Sequence, residues 1–164
     1  MQEKFDDIDF KILSELRKDC KRHISDIAKK LKMHPNTVLF RIKKLEKDGI
    51  ILAYNAEVDY HKLGYDLHVL ITIILPRGRV GDIEQLKKLS DIPEIQALYA
   101  CTGSYDVVAL AYVKNSEDLS RVLREIEDCK AVLRTDTHLM LYAYKSPYQY
   151  NPLKSKIEKK TRKK

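Results

Sequence analysis

The chain has no tryptophan, only three cysteines, five glycines and five prolines in 164 residues, and no long apolar run. Each scarcity closes off a class of protein. Cys20, Cys101 and Cys129 are odd in number, far apart and without a Cys-x-x-Cys pair, so neither a disulfide framework nor a zinc site is expected. So little Gly and Pro excludes collagen-like and low-complexity chains, while 44% hydrophobic residues supply the matter for a core. The longest apolar stretch, 69–75, is interrupted by Thr72 and stopped by Pro76, well short of the ~18 residues that read as a membrane span. Residues 1–10 are acidic, unlike a signal peptide. The expectation is a soluble, cytoplasmic protein with no membrane partner.

What is present is charge, unevenly spread. Residues 1–63 carry 14 basic and 11 acidic side chains, residues 64–150 carry 10 and 12, and residues 151–164 carry 7 and 1. Basic ends around a mildly acidic middle point to a polyanionic partner, because Lys and Arg gain by releasing counterions condensed on phosphates.

The first fifty residues have helical periodicity. Ile8, Ile12, Leu13 and Leu16 follow the capping candidates Asp6 and Asp7, which predicts a helix over 7–18. Ser25 offers an N-cap, with Ile24 just outside it, for a short helix with Ile27, Ala28 and Leu31 inward and an end near Lys32. Pro35 suits a first helical position, and Val38, Leu39, Ile42 and Leu45 form a stripe that runs to the left-handed stop Gly49, predicting a third helix over 35–48. Beyond it, Ile50, Ile51, Leu52 and Tyr54 are β-formers, so a short hairpin or an extended arm through Val58 is expected, followed by a hinge.

From Leu67 the segments alternate in kind. The pattern predicts a strand over 67–75, a helix with Val80, Ile83, Leu86 and Leu89 inward, a strand over 95–102 and a turn at Gly103-Ser104. A strand over 106–113 follows, then a helix from Ser116 with Leu119, Val122, Leu123 and Ile126 inward, and a strand over 132–144. This βαββαβ order, with helix-to-strand joints at Ile92–Ile95 and Cys129–Val132 recurring 37 residues apart, predicts a ferredoxin-like α+β domain. The expected organisation is a helix-turn-helix over 1–52, a hinge over 53–66, the ferredoxin-like domain over 67–145 and a basic, solvated tail over 146–164. Two helices on one face of a four-stranded sheet leave the other bare, and the strand over 69–75 is apolar at nearly every position. A second copy, face to face, would cover it.

A tight connection between the second and third helices makes a helix-turn-helix, whose recognition helix needs polar and basic residues opposite its core stripe. Here that face is Asn36, Thr37, Phe40, Arg41, Lys43, Lys44 and Lys47. The first three sit at the N-terminal end, where base edges are read, and the later cations are placed for phosphates. Ser25 and His34, at the two helix entries, complete the candidate DNA contacts. His23, His61, His68 and His138 have no metal-ligand spacing, and Glu94, Asp106 and Asp136 lack an accompanying nucleophile or oriented base, so no metal and no catalytic site is expected.

Asp6-Asp7-Ile8-Asp9, Ser25-Asp26-Ile27-Ala28, Arg41 to Glu46 with Gly49-Ile50-Ile51, Leu63-Gly64-Tyr65 and Gly103-Ser104-Tyr105-Asp106, in this order and spacing, resemble the leucine-responsive regulator (Lrp/AsnC) family. The resemblance covers about residues 5–145. It implies a winged helix-turn-helix, a hinge and an effector-binding domain that dimerises, often into octamers, in a DNA-binding transcription regulator rather than an enzyme. It further implies a small-molecule effector, usually an amino acid, with Gly103, Ser104, Tyr105 and Asp106 as its contacts and Thr135 and Thr137 as secondary ones; no other cofactor is implied. Three departures stand out. Lys32 and His34 replace the family's common turn Gly and cap Ser, a left-handed Lys32 costing on the order of 1 kcal/mol. Ser104 stands where the family's turn carries an acid, which removes a charge that would hold an ammonium group.

Two other classes share parts of the pattern. Siroheme decarboxylases resemble the architecture, but need a tetrapyrrole pocket and have no use for a basic third helix. An architectural DNA-binding protein without an effector would use the basic tail.

Overall fold

The computed structural model describes residues 5–76 and 83–145, which divide into two compact units, 5–57 together with Lys145, and Val58–Tyr144. The expected basic tail and the inward Val80 lie outside the described residues.

The first unit is three helices, α1 (Asp7–Lys18), α2 (Ile24–Leu31) and α3 (Pro35–Lys47). Asp6 caps α1 in a reciprocal box: its carboxylate accepts from the Ile8 and Asp9 amides at 2.9 and 3.0 Å, and the Asp9 carboxylate accepts from the Asp6 amide at 3.0 Å. Ser25 does not cap α2. The helix starts one residue earlier, at Ile24, with His23 as an N-cap that makes no side-chain hydrogen bond, so Ser25 stands exposed in the first turn. Lys32 is left-handed (φ 55°, ψ 47°), and the Met33 amide returns to the Ala28 carbonyl at 2.9 Å. This is the closure Gly usually supplies, obtained here with a side chain in place. The third helix stops at Lys47, one residue short of the expected end, with Asp48 as C-cap and Gly49 at φ 67°. Ile12, Ile27, Ala28, Val38, Ile42 and Leu45 form the core of the unit.

No hairpin follows. Residues 50–60 form no strand, and the arm is tied back by Ile50 and Ile51 amides on the Leu45 carbonyl and by the Tyr54 hydroxyl, which donates to Glu46 Oε1 at 2.6 Å. Of the expected β-formers, Ile51 packs on the helical core and Tyr54 bonds to Glu46, while Ile50 and Leu52 are exposed and none pairs in a strand.

The second unit opens with a 3₁₀ turn (His61–Leu63) and continues β1 (Leu67–Ile74), α4 (Ile83–Leu89), β2 (Ile95–Ala100), β3 (Val107–Val113), α5 (Ser116–Glu127) and β4 (Arg134–Leu139). The sheet is antiparallel in the order β2-β3-β1-β4. The last strand is half the expected length: β1, its one partner among the described residues, ends at Leu67, Met140 makes a final bond to the His68 carbonyl, and no described strand lies beside the residues after it. Val69, Ile71 and Ile73 of β1 and Val107, Ala109, Ala111 and Val113 of β3 are buried with Leu89, Val122 and Ile126 of the helices. The alternate residues Leu70, Ile74, Val108 and Leu110 point to the other face and are only half-buried.

Candidate nucleic-acid interface and effector site

Helix α3 is divided lengthwise. Val38, Ile42 and Leu45 enter the core, while Asn36, Thr37, Phe40, Lys43, Lys44 and Lys47 are exposed. His34 caps the helix through Nδ1, which accepts from the Asn36 amide at 3.2 Å, and the side chain is exposed. An accepting Nδ1 leaves the ring's proton on Nε2, free to donate outward.

Arg41 leaves this set. Its guanidinium Nη1 lies 2.8 Å from both Asp6 Oδ2 and Asp9 Oδ1, and only a quarter of its side chain is exposed. Those hydrogen bonds, Asp9's foremost, raise its pKa still further, so its charge is fixed in the α1 capping box rather than offered to a phosphate. The same contact helps hold Asp6 below the usual carboxylate range: partial burial works against this, but the Asp9 amide and Arg41 outweigh it.

Sequence reasoning missed Glu15. This carboxylate is buried on α1, 2.8 Å from Lys18 Nζ and from Lys30 Nζ, and also paired with Arg22. Burial pushes its pKa up, and the cations on Oε1 and Oε2 overcome that push and hold it low. The signal was available, since Glu15 follows Ile12 on the apolar stripe of α1, a position no solvated carboxylate needs. Tyr54 was read only as a β-former; burial first, and its bond to Glu46 second, push its hydroxyl up to about 12.

In the second unit the turn at Gly103–Asp106 joins β2 to β3. Gly103 adopts φ 119°, open to glycine and costly for other residues. Ser104 and Tyr105 are exposed. Asp106 is anchored by its amide to the Ile73 carbonyl at 3.0 Å, and its Oδ2 accepts the Leu75 amide at 2.8 Å. The turn and the start of β4 therefore flank the same end of β1, about 10 Å apart across two strand spacings. Thr135 is paired with Ile73 and so faces the helices, with its hydroxyl donating to Glu127 at 3.1 Å. Thr137, opposite Ile71, lies about 7 Å further along and away from the turn. The structure thus groups Gly103 to Asp106 with Thr135 at one sheet end and leaves Thr137 outside. A cleft of about 630 Å³ lined by Lys88, Leu89, Ile92, Glu125, Asp128, Cys129 and Lys130 includes none of these residues.

The bare sheet face carries an aromatic array at one corner. His68 stacks on its ladder partner Tyr112 at 4.0 Å between centroids, Tyr112 on Tyr60 at 4.9 Å, and Tyr60 meets Tyr65 edge-on at 6.0 Å. Burial pushes the His68 imidazole below its ordinary pKa. The carboxylates weighed as catalytic candidates are taken separately: Glu94 by Arg121, Asp136 by Arg134 at 2.9 Å, and Asp106 by the Leu75 amide. Among the described residues no group of three or more His, Cys, Asp or Glu is placed to hold a metal, and no helix is long and apolar enough to cross a membrane.

Comparison with known proteins matches each unit to a family model. A winged helix-turn-helix DNA-binding model matches residues 5–51, and an Lrp/AsnC ligand-binding domain model matches residues 68–150. The HTH-type transcriptional regulator FL11 of Pyrococcus furiosus is 35% identical over 140 residues, covering 85% of this chain and 91% of its own. Among solved structures, E. coli AsnC superposes with a TM-score of 0.80 at 26% identity, covering 87% of this chain and 95% of its own. The feast or famine regulatory protein of M. tuberculosis, solved with L-methionine, gives 0.81 at 26% identity, with 90% and 99% covered.

Proposed function

The chain belongs to the Lrp/AsnC family and is a transcriptional regulator with a DNA-binding helix-turn-helix and an effector-binding domain; from that premise we propose which of its residues do the work. The exposed arc of α3 enters the major groove. Asn36, Thr37 and Phe40 meet base edges, and Lys43, Lys44, Lys47, Ser25 and the Nε2–H of His34 hold phosphates. Arg41 serves as the tie between α3 and the α1 cap. The observation that carries this reading is the lengthwise division of α3, whose apolar side is fully used by the unit's own core while its cationic side is left to solvent.

The working unit is a homodimer in the cytoplasm. The half-buried Leu70, Val108 and Leu110 on an otherwise complete sheet are what a second sheet would cover. Two-fold symmetry then sets two copies of α3 in successive major grooves, so the operator is a pseudo-palindrome with half-sites ~10 bp apart or a multiple of it.

The effector is a small molecule held at the turn Gly103, Ser104, Tyr105 and Asp106, with Thr135 a secondary candidate at the same end of the sheet, two strands away. An amino acid is the class we propose, because the M. tuberculosis relative was solved with L-methionine and exposed backbone amides in a turn suit a carboxylate. Ser104 in place of an acid favours ligands held by their carboxylate over those held by their ammonium.

Selection of bound duplexes from a random pool by the full chain, with and without each amino acid, tests all of this. The expected result is a two-fold symmetric site whose occupancy shifts with one or a few amino acids, the shift lost in Tyr105→Ala. Unsymmetrical sites would contradict the dimer, and occupancy indifferent to every amino acid would contradict the effector class.

A further inference from the structure

On α3 the exposed large hydrophobic side chain is Phe40, 70% exposed on a helix whose apolar needs are already met by Val38, Ile42 and Leu45. Its angular position is informative. At about 100° per residue, Lys47 lies about 20° from Phe40 around the helix, Asn36 and Lys44 about 40° to either side, and Thr37 and Lys43 about 60°. Phe40 is therefore the centre line of the exposed arc, and Arg41, about 100° away, falls at its border, where it is turned to α1. A ring on the centre line of the arc gains free energy by burial when the arc docks against a surface with an apolar feature at its middle.

Base edges lie under the centre line near the N-terminal end of a docked helix, and phosphates lie at its flanks and beyond its C-terminal half. The apolar group that a major groove presents among those base edges is the thymine C5-methyl. We propose that Phe40 is a specificity residue that reads a thymine methyl group in each half-site, and that Asn36, one turn earlier, reads a neighbouring base pair. The two side chains are separated by a rise of about 6 Å, roughly the height of two base pairs. An Asn amide pairs best with adenine N6 and N7, so the half-site centre is an A·T pair and a T·A pair within about two steps of each other. This rests on the assignment of α3 to the major groove, and it goes beyond it by naming the chemical group that Phe40 recognises.

The test isolates the methyl group. A duplex selected from a random pool by the full-length protein is resynthesised with deoxyuridine for thymine at each position in turn, which removes one methyl and leaves every hydrogen-bonding group in place. For the wild type, affinity should fall about fourfold at one thymine per half-site, the change that goes with exposing one methylene-sized group. In Phe40→Ala the thymine and uracil duplexes should bind equally, whereas Phe40→Leu should retain part of the discrimination. Lys43→Ala and Lys47→Ala should weaken both duplexes alike and keep the ratio. Because Phe40 is exposed, its variants should keep the wild-type melting temperature and sedimentation behaviour.

Indifference of the wild type to every uracil, a selected half-site without thymine, or undiminished discrimination in Phe40→Ala would each overturn the proposal. So would a change of oligomeric state in Phe40→Ala with discrimination intact, which would make the ring a protein contact. Failure of the lysine variants to weaken any duplex would instead overturn the placement of α3 in the groove, so the two failures are distinguishable.

Discussion

The two units solve the problem of a small core in opposite ways. The helical unit has a core of six apolar residues, Ile12, Ile27, Ala28, Val38, Ile42 and Leu45, and ties its helices with charge: Glu15 gathers Lys18, Arg22 and Lys30, and Arg41 gathers Asp6 and Asp9. The sheet unit has a core twice that size among the described residues and a charge cluster of its own, Arg121 with Glu94, Asp118 and Glu125, yet one face of its sheet stays half-covered. The lesson is that the helical unit is finished as a single copy, so its surface is available for a ligand as large as DNA. The sheet unit keeps a half-covered face, which a second copy would cover in the proposed dimer, and assembly is where a small molecule bound at its edge would act.

The comparison breaks most visibly at the bare sheet face. Leu110→Asp puts an unpaired charge opposite Leu70, where the proposed second sheet would bury it, and should weaken self-association by a hundredfold or more, about 3 kcal/mol, in sedimentation experiments. The helical unit should keep its own helicity in the same variant. An unshifted sedimentation profile would show that the face is not the seam.

Next in size is the charge clamp. Arg41→Ala should lower the stability of the helical unit by about 1–2 kcal/mol, because it leaves Asp6 and Asp9 without their shared cation, and the loss should appear in helical circular dichroism on heating. The slope of DNA affinity against salt should not change. A reduced slope would return Arg41 to the phosphate-binding set.

The smallest effect separates the units by pH. The His68 imidazole has its pKa lowered by burial, so the unfolded chain takes up a proton first as pH falls below 6.5, and the sheet unit should begin to lose stability there. Glu15 and Asp6 are held low in the folded chain, so the helical unit keeps their contribution until pH falls below the ordinary values of 4.5 and 3.8. Amide exchange followed residue by residue should therefore show the sheet unit loosening first on acidification, and His68→Phe should delay it. Loosening of the helical unit first would invert the assignment.

Much of this was legible in the residues. The limits of α1 follow from Asp6 and the stripe at Ile8, Ile12 and Leu16, and the βαββαβ order follows from the change of period at Leu67. The start of α2 was not legible, because Ser25 is the better capping residue by type, while the turn from Asp19 to Arg22 and an extended His23 let the helix begin at Ile24 without a side-chain cap. That the segment after Gly49 takes the extended-arm alternative rather than the hairpin, and that β4 is short, have one cause: β-propensity states what a segment prefers, and pairing depends on a partner strand that lies elsewhere in the chain. At the candidate sites, the composition of α3 identified its exposed face. It could not show that Arg41 is held by Asp6 and Asp9, thirty-five and thirty-two residues away, nor that Asp106 is occupied by the Leu75 amide.

The salt dependence of DNA binding tests the central claim most directly. Affinity of the full chain for its selected duplex, measured over a range of salt concentrations, is compared with that of the variant carrying Lys43→Ala, Lys44→Ala and Lys47→Ala together. Each phosphate contact contributes about 0.9 to the slope of log affinity against log salt. The variant's slope should therefore be shallower by about 2.7 for every α3 docked, or about 5 for a dimer. An unchanged slope, with the three lysines gone and the fold intact, would show that α3 does not face the DNA.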